Sequence, residues 1–281
     1  MTSPVLDWRA NLERDLHAAG LPRRVAVQLS NDAQAEADDA GRDPADLYGP
    51  ASAYAAALAR SVRATEPART AGLNRPSPDL TGPVVLRVTE VSKRYGRRLV
   101  LSPVSFTLRA GQIAAIVGAN GSGKSTLLDI CAGATRASTG RVARTARLGY
   151  VPQHGGLAPL LTVGEHLRLF AAARGMPAAQ AVPTGERLAA QLGWRPEPKA
   201  RVGTLSGGTQ QKLNVVLGEL DRPDLILLDE PYQGFDQESY LDFWEQVFAW
   251  RDAGAGVVVV THLLSSLREV DRVIELRVPG P

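Results

Sequence analysis

Hydrophobic positions along the chain follow two regimes. Over residues 1–64 they recur every three or four positions, and Val5, Trp8, Leu12 and Leu16 share one helical face that closes near Gly20. A second face starts at Pro22, where a missing N–H costs nothing at a first helical position. It runs through Val25, Leu29, Ala33 and Ala37 to a stop at Gly41. Behind Gly49-Pro50, Tyr54, Leu58 and Val62 repeat at steps of four and predict a third helix. The three together predict a small bundle with few large apolar groups to hold it. Over residues 65–83 the periodicity stops, and Pro67, Gly72, Pro76, Pro78, Gly82 and Pro83 predict an extended linker. Beyond it the pattern changes to short apolar runs at 84–91, 104–108 and 113–117, followed by alternating helices and strands. That order predicts an α/β domain with some antiparallel strands over residues 84–281.

Composition narrows this picture. With 44% hydrophobic residues in 281, the chain has material for a core and an appendage. Its longest apolar stretches, at 113–117, 225–228 and 257–260, are far shorter than the ~20 residues of a bilayer-spanning helix, so no membrane crossing is expected. The first residues, Met-Thr-Ser-Pro with Asp7, Arg9 and Glu13 close by, contain no apolar leader core, and a cytosolic location is expected. A single cysteine, Cys131, allows neither an internal disulfide nor a Cys-rich zinc site. Net charge is 32 − 29 = +3; residues 1–80 hold 9 Arg against 11 acids, or −2, and the remainder 23 against 18, or +5. There is no Lys/Arg run of the kind that grips nucleic acid, and no nucleic-acid partner is expected.

Candidate chemistry begins where the apolar run Ile113–Val117 enters Gly118-Ala-Asn-Gly-Ser-Gly-Lys-Ser-Thr126, with Leu127, Leu128 and Ile130 continuing as a helix. This is the strand–GxxxxGK[ST]–helix pattern. Its glycines let backbone N–H groups turn inward around a phosphate, and the helix dipole favours the phosphate charge. Lys124 is placed to reach β- and γ-phosphates and Ser125 a Mg²⁺ ion. A second fully apolar run, 225–228, ends in Asp229-Glu230. Ligands of open α/β sheets lie at the carboxyl ends of strands, so both acids are expected at the same edge as Gly118. There Asp229 would hold Mg²⁺ and Glu230 would take a proton from an attacking water, although adjacent acids at a strand end are also common on plain surfaces. A third run, 257–260, ends in Thr261-His262, which taken alone reads as a hydrogen-bonded histidine at a strand end rather than as a γ-phosphate contact.

These residues, with Leu205-Ser-Gly-Gly-Thr209, resemble the nucleotide-binding subunit of ATP-binding cassette (ABC) transporters over roughly residues 84–277. Five motifs stand in family order: the phosphate loop with Gly118, Asn120, Gly121, Ser122, Gly123, Lys124, Ser125 and Thr126; Gln153 in Tyr-Val-Pro-Gln; Leu205-Ser-Gly-Gly208; Leu225-Ile-Leu-Leu-Asp-Glu-Pro231; and His262. The resemblance implies an α/β, ABC-type phosphate-loop fold with a mixed sheet core, an antiparallel β subdomain and a helical subdomain, preceded here by the small all-α domain, and ATP and Mg²⁺ as cofactors. Tyr95 corresponds to the aromatic that stacks on adenine. Gln153 corresponds to the glutamine that senses Mg²⁺ and water. Ser206, Gly207 and Gly208 correspond to the signature that meets the γ-phosphate held by an opposite subunit, and Asp236 to the aspartate that crosses between subunits. Mg²⁺ would be held by Ser125, Gln153 and Asp229, and the catalytic group would comprise Glu230, His262, Gln153 and Lys124. A second cassette, forming a homodimer when ATP is bound, and a separate membrane permease are the implied partners, which would place the chain at the inner face of the cell membrane.

Three departures from the family pattern stand out: Thr209 where glutamine is frequent, Phe235 in place of a leucine-like residue before Asp236, and an end soon after the strand near Val273 to Leu276. The last argues against maltose-importer-like C-terminal regulation. The segment with Leu157, Leu160, Leu161, Val163, Leu167, Leu169 and Phe170 would open the helical subdomain that receives a permease. Its run at 160–167 is more similar to exporters of the drug and antibiotic-resistance type than to amino-acid importers. The N-terminal turns Gly41-Arg-Asp-Pro44 and Leu47-Tyr-Gly-Pro50 faintly resemble the small bacterial HAAS module, so this part is either a docking element of unknown partner or a solubilising appendage. The alternative to a transport ATPase is a soluble ABC ATPase or regulator. One phosphate loop and no sustained heptads make the ribosome-acting and DNA-repair types less suitable.

Overall fold

The computed structural model describes residues 7–39, 43–48, 50–52, 54–55, 82–153, 155–232, 234–235, 237–261 and 270–279. The chain divides into two compact units, Met1–Arg75 and Pro76–Pro281.

In the first unit, α1 (Trp8–Ala18) starts at Asp7, whose carboxylate accepts from the Arg9 N–H, and α2 (Arg23–Asp39) starts directly after Pro22. Leu12 and Leu16 of α1 are fully buried against Leu21, Ala26 and Ala33, as their spacing predicted. A short helix not anticipated from the apolar pattern, α3 (Pro44–Tyr48), occupies the stretch read as turns. Its cause is local: Pro44 suits a first helical position, and Asp43 accepts a 2.8 Å hydrogen bond from the Ala45 N–H. The rings of Trp8, Tyr48 and Tyr54 gather at centroid distances of 4.8–6.0 Å. Val5, Gly41, Leu58, Val62 and the linker residues 65–81 lie outside the described residues.

The second unit opens with a long hairpin, β1 (Val84–Tyr95) and β2 (Arg98–Arg109), to which β4 (Thr139–Arg144) adds on the free side of β1. Both strands run further than their apolar runs, because one face of an antiparallel sheet can stay polar and wet. Tyr95 pairs with Arg98, so the hairpin tip is Gly96-Arg97. A five-stranded parallel sheet follows, in the order β5-β6-β7-β3-β8. Its strands are β3 (Ile113–Val117), β5 (Leu148–Val151), β6 (Leu225–Asp229), β7 (Gly256–Val260) and β8 (Arg272–Glu275).

Helices cover the parallel sheet on both faces, which is why β6 and β7 are buried at every residue. On one face Ala114, Ile116, Leu225, Leu227, Val258 and Val260 pack with α4 (Lys124–Ala132) and the hairpin. On the other, Ile113, Ala115, Ile226, Leu228, Val257 and Val259 pack with α7 (Gly207–Glu219) and α8 (Gln237–Asp252). Between β5 and β6 the chain builds α5 (Val163–Ala173) and α6 (Ala178–Gln191). Helix α5 is started by a capping box in which Thr162 and Glu165 satisfy each other's backbone N–H groups. The buried His166 ring bridges the Ala158 N–H and the Thr162 carbonyl at 3.0 Å each, fastening the loop before the helix.

The single cysteine, Cys131, is buried on α4, and burial pushes its thiol up to about 12. A thiolate is the reactive species, so the native protein should react negligibly with a disulfide reagent at pH 8 and fully once unfolded. Stoichiometric labelling of the native protein within minutes would contradict this packing.

Candidate functional site

Strand β3 delivers the phosphate loop. Gly118 and Gly123 hold φ of 151° and 92°, in the half of backbone space that favours glycine. Neither position has room for a side chain: a Cβ on Gly118 would lie 2.4 Å from the Leu276 carbonyl oxygen, and one on Gly123 2.7 Å from that of Val100. The turn therefore runs close against two neighbouring strand ends, and α4 starts at Gly123 without a side-chain cap. Uncapped N–H groups at a helix start, in a loop of this shape, form a ready anion site. Lys124 folds back into the loop, its Nζ donating to the carbonyl oxygens of Gly118 at 2.9 Å and Ala119 at 3.4 Å. Ser122 Oγ is buried and has no hydrogen-bond partner among the described residues.

The acids stand where the strand order requires. Asp229 is the last residue of β6, and Glu230 follows it with a φ of 44°, a left-handed conformation uncommon for a non-glycine residue. Their exposures are only 2% and 7%. Glu230 Oε2 accepts a 3.1 Å hydrogen bond from Gln153 Nε2, so two motifs 77 residues apart meet. Burial pushes the Asp229 carboxyl up to about 6; a hydrogen bond with Ser125 and the charge of Lys124 oppose the rise, while the charges of Glu230 and Asp129 add to it. Asp229 Oδ1 is buried and unpartnered among the described residues. An orphaned carboxylate oxygen beside the Ser125 hydroxyl, with Glu230 and Gln153 adjacent, is an all-oxygen donor set of the kind that suits Mg²⁺.

Tyr95 is 55% exposed, with Lys93 Nζ 4.7 Å above its ring. Beside it a cavity of about 340 Å³ opens between Arg94, Arg97, Arg98, the phosphate-loop residue Gly121 and Val278. The arginines were not singled out from the sequence, because nothing in their spacing separates a cavity wall from a solvated hairpin. Thr261 was missed as well. Its buried hydroxyl meets Tyr232 Oη at 2.5 Å, and its N–H donates to Ile116, pinning the chain just before His262. His262 and Asp236 lie outside the described residues.

The signature residues open α7. Ser206 caps the helix by accepting from the Thr209 N–H at 3.2 Å, and its hydroxyl lies 2.8 Å from that of Thr209. The threonine that departs from the family pattern thus buttresses the cap. Gly208 is packed so closely on Gly234 that a Cβ would lie 2.3 Å from the Gly234 carbonyl oxygen. Phe235, the second departure, faces Phe243 at 6.2 Å, with Lys212 5.7 Å from its ring.

Fold and site together define a phosphate-loop nucleotide-binding domain with a helical insertion between β5 and β6. Residues 101–233 match the family model described as ABC transporter. The zinc import ATP-binding protein ZnuC of Roseobacter denitrificans is 40% identical over 193 residues, covering 66% of this chain and 73% of that protein. The mouse ABC-type organic anion transporter ABCA8B is 38% identical over 180 residues, 60% of this chain but only 11% of the mouse protein. A solved ATP-binding subunit of an ABC transporter shares 29% identity and a TM-score of 0.63, over 70% of this chain and 88% of that one. The chain belongs to the ABC transporter family, and its second unit is an ABC-type ATPase domain. Among the described residues no helix is long and apolar enough to cross a membrane.

Burial of Asp229 has a consequence for pH dependence. Its folded value near 6 lies above the ordinary 3.8, so its ionisation destabilises the nucleotide-free fold progressively as pH rises between the two. Asp229→Asn should therefore stabilise the nucleotide-free protein, by up to about 3 kcal/mol at pH 8 and roughly half that at pH 5. Urea unfolding at the two pH values measures this; a gain that grows on acidification would contradict it.

Proposed function

We propose that the chain hydrolyses ATP as one half of a face-to-face pair of cassettes and thereby drives a separate membrane permease in the export direction. The observation that carries the reading is the meeting of Gln153 with Glu230 beside Asp229, at the sheet edge that also presents the phosphate loop. In this reading Tyr95 stacks on adenine, and the N–H groups of the loop from Gly118 through Asn120, Gly121, Ser122 and Gly123 to Thr126 cradle the phosphates. Lys124 exchanges its two carbonyl partners for β- and γ-phosphate oxygens and stabilises charge as the γ-phosphoryl group transfers.

Ser125, Gln153 and Asp229 would hold Mg²⁺, which when bound neutralises charge on the β- and γ-phosphates. Glu230 is the general base. Held by Gln153, its carboxylate takes the proton of a water attacking the γ-phosphorus in line with the departing ADP oxygen. His262 contacts the γ-phosphate, and Asp236 crosses to the opposing subunit. Ser206, Gly207 and Gly208 offer the start of α7 to the nucleotide of that subunit, so each chain carries half of two sites. Closure depends on γ-phosphate contacts and is released by hydrolysis.

The export direction is supported by the run at 160–167. The relatives described above include both an importer subunit and an organic anion transporter, so direction calls for its own assay. The expected site of action is the inner membrane face, reached through the permease. Exposed Leu160 and Leu169, on and just before α5, suit that contact. We read residues 1–64 as a docking appendage joined through a linker over 65–83, its net −2 over residues 1–80 suiting a basic cytoplasmic loop.

Glu230→Gln should lower ATP turnover by a factor of about 100 or more while leaving ATP affinity within about twofold, and should accumulate an ATP-bound dimer on size exclusion. Undiminished turnover would remove Glu230 from the base role. The tagged Glu230→Gln protein, recovered from detergent-solubilised membranes, should bring down a multi-spanning protein in near-equal amount; recovery of ribosomes or DNA-associated proteins would favour a soluble ABC ATPase. Reconstituted with that permease in vesicles, ATP should drive substrate away from the cassette side. Deleting residues 1–80 should leave ATP turnover unchanged and weaken recovery of the permease, and unchanged recovery would reduce the appendage to a solubilising role.

A further inference from the structure

Helix α7, which opens at the signature, carries two side chains that this mechanism does not use. Gln211 and Asn214, three residues apart on one face, are 6% and 7% exposed. A buried amide must find partners for its donors and its oxygen. Gln211 Nε2 donates to the carbonyl oxygen of Pro152 at 3.3 Å. Asn214 Nδ2 donates to the carbonyl oxygen of Gly155 at 3.2 Å and to Gln211 Oε1 at 3.1 Å. The two carbonyls flank Gln153, which itself donates to Glu230.

Two glycines follow in that segment. Gly155 and Gly156 hold φ of 78° and 81°, and a Cβ at Gly155 would meet nothing within 4 Å. Gln211 sits five residues beyond Ser206 on a continuous helix, a rise of about 7.5 Å, so a shift of the helix start carries the amide with it. The same helix touches the chain on the other side of Glu230 through Gly208 and Gly234.

We propose that Gln211 and Asn214 are positioning residues that tie Gln153, and through it Glu230, to the signature helix, so that contact of the signature with the opposing cassette's nucleotide sets the Gln153–Glu230 hydrogen bond. This rests on the paired-cassette reading above. Apolar side chains at 211 and 214 would fill the same space but leave the Pro152 and Gly155 carbonyls without these donors. The link is therefore polar and directional, unlike the surrounding contacts of Leu213, Val215, Val216 and Leu217.

Gln211→Met keeps side-chain length and removes the donor; Asn214→Ala removes both of its hydrogen bonds. Each should lower kcat about tenfold with KM and binding of a fluorescent ATP analogue within about twofold. In a Gln153→Ala background the same changes should alter kcat less than about twofold, because their effect passes through Gln153. A loss that multiplies with Gln153→Ala, or that moves with nucleotide affinity, would overturn the proposal. A wild-type chain that binds but never hydrolyses ATP would instead overturn the paired-cassette reading. Hydrogen exchange in the full chain then decides the positioning role: Gln211→Met should speed exchange over residues 150–157 and leave the backbone amides of α7 unchanged, and unchanged exchange over 150–157 would overturn it.

Discussion

The level at which three buried parallel strands end governs everything at the candidate site. Ile116 of β3 pairs with Val260 of β7, and Val260 pairs with Asp229 of β6. Because the strands run the same way, the chain leaves the sheet at one edge: Gly118 into the phosphate loop, Glu230 into its left-handed turn, and Thr261 just beyond β7. Hydrogen bonds of the departing chain hold the edge in step. Glu230 N–H donates to the Val260 carbonyl, Thr261 N–H to that of Ile116, and Leu276 N–H to that of Val117. Helices then cover both faces, so Asp229 is buried as a consequence of its place in the row.

That burial opposes stability. An ionised carboxylate with one orphaned oxygen and a left-handed non-glycine residue next to it are each unfavourable. They persist because the sheet on either side over-determines the backbone, with the interior of β3, β6 and β7 entirely apolar. A bound cation would relieve the first of these by supplying positive charge beside the carboxylate.

The signature helix acts as a hub within this arrangement. Its start is braced by the hydroxyl of Thr209 and by backbone contact with Gly234, and its buried amides reach the Gln153 segment. The family departures at Thr209 and Phe235 are accommodated by local chemistry: a second hydroxyl at the cap in one case, an aromatic edge against Phe243 in the other. Neither alters the backbone N–H groups that a phosphate would meet.

Local chemistry was legible in the chain itself. Glycines in fixed order before Lys124-Ser125, an apolar run ending in two acids, and Leu-Ser-Gly-Gly each specify a turn or a helix start through residues a few positions apart, and folding leaves such features recognisable. The helices of the first unit were likewise readable from apolar spacing, except for α3, whose signal lies in Asp43-Pro44 and not in hydrophobicity. What the chain could not disclose is order and register among β3, β5, β6, β7 and β8. Strands that are apolar on both faces carry no alternation to favour one pairing over a slip by one residue. Pairing is decided in three dimensions by anchors such as Asp271 accepting from the Ile113 N–H and Asp224 from that of Gly256. The meeting of Gln153 with Glu230, the cavity beside Tyr95 and the amide link from α7 depend on that register, and so only the tertiary structure decided them.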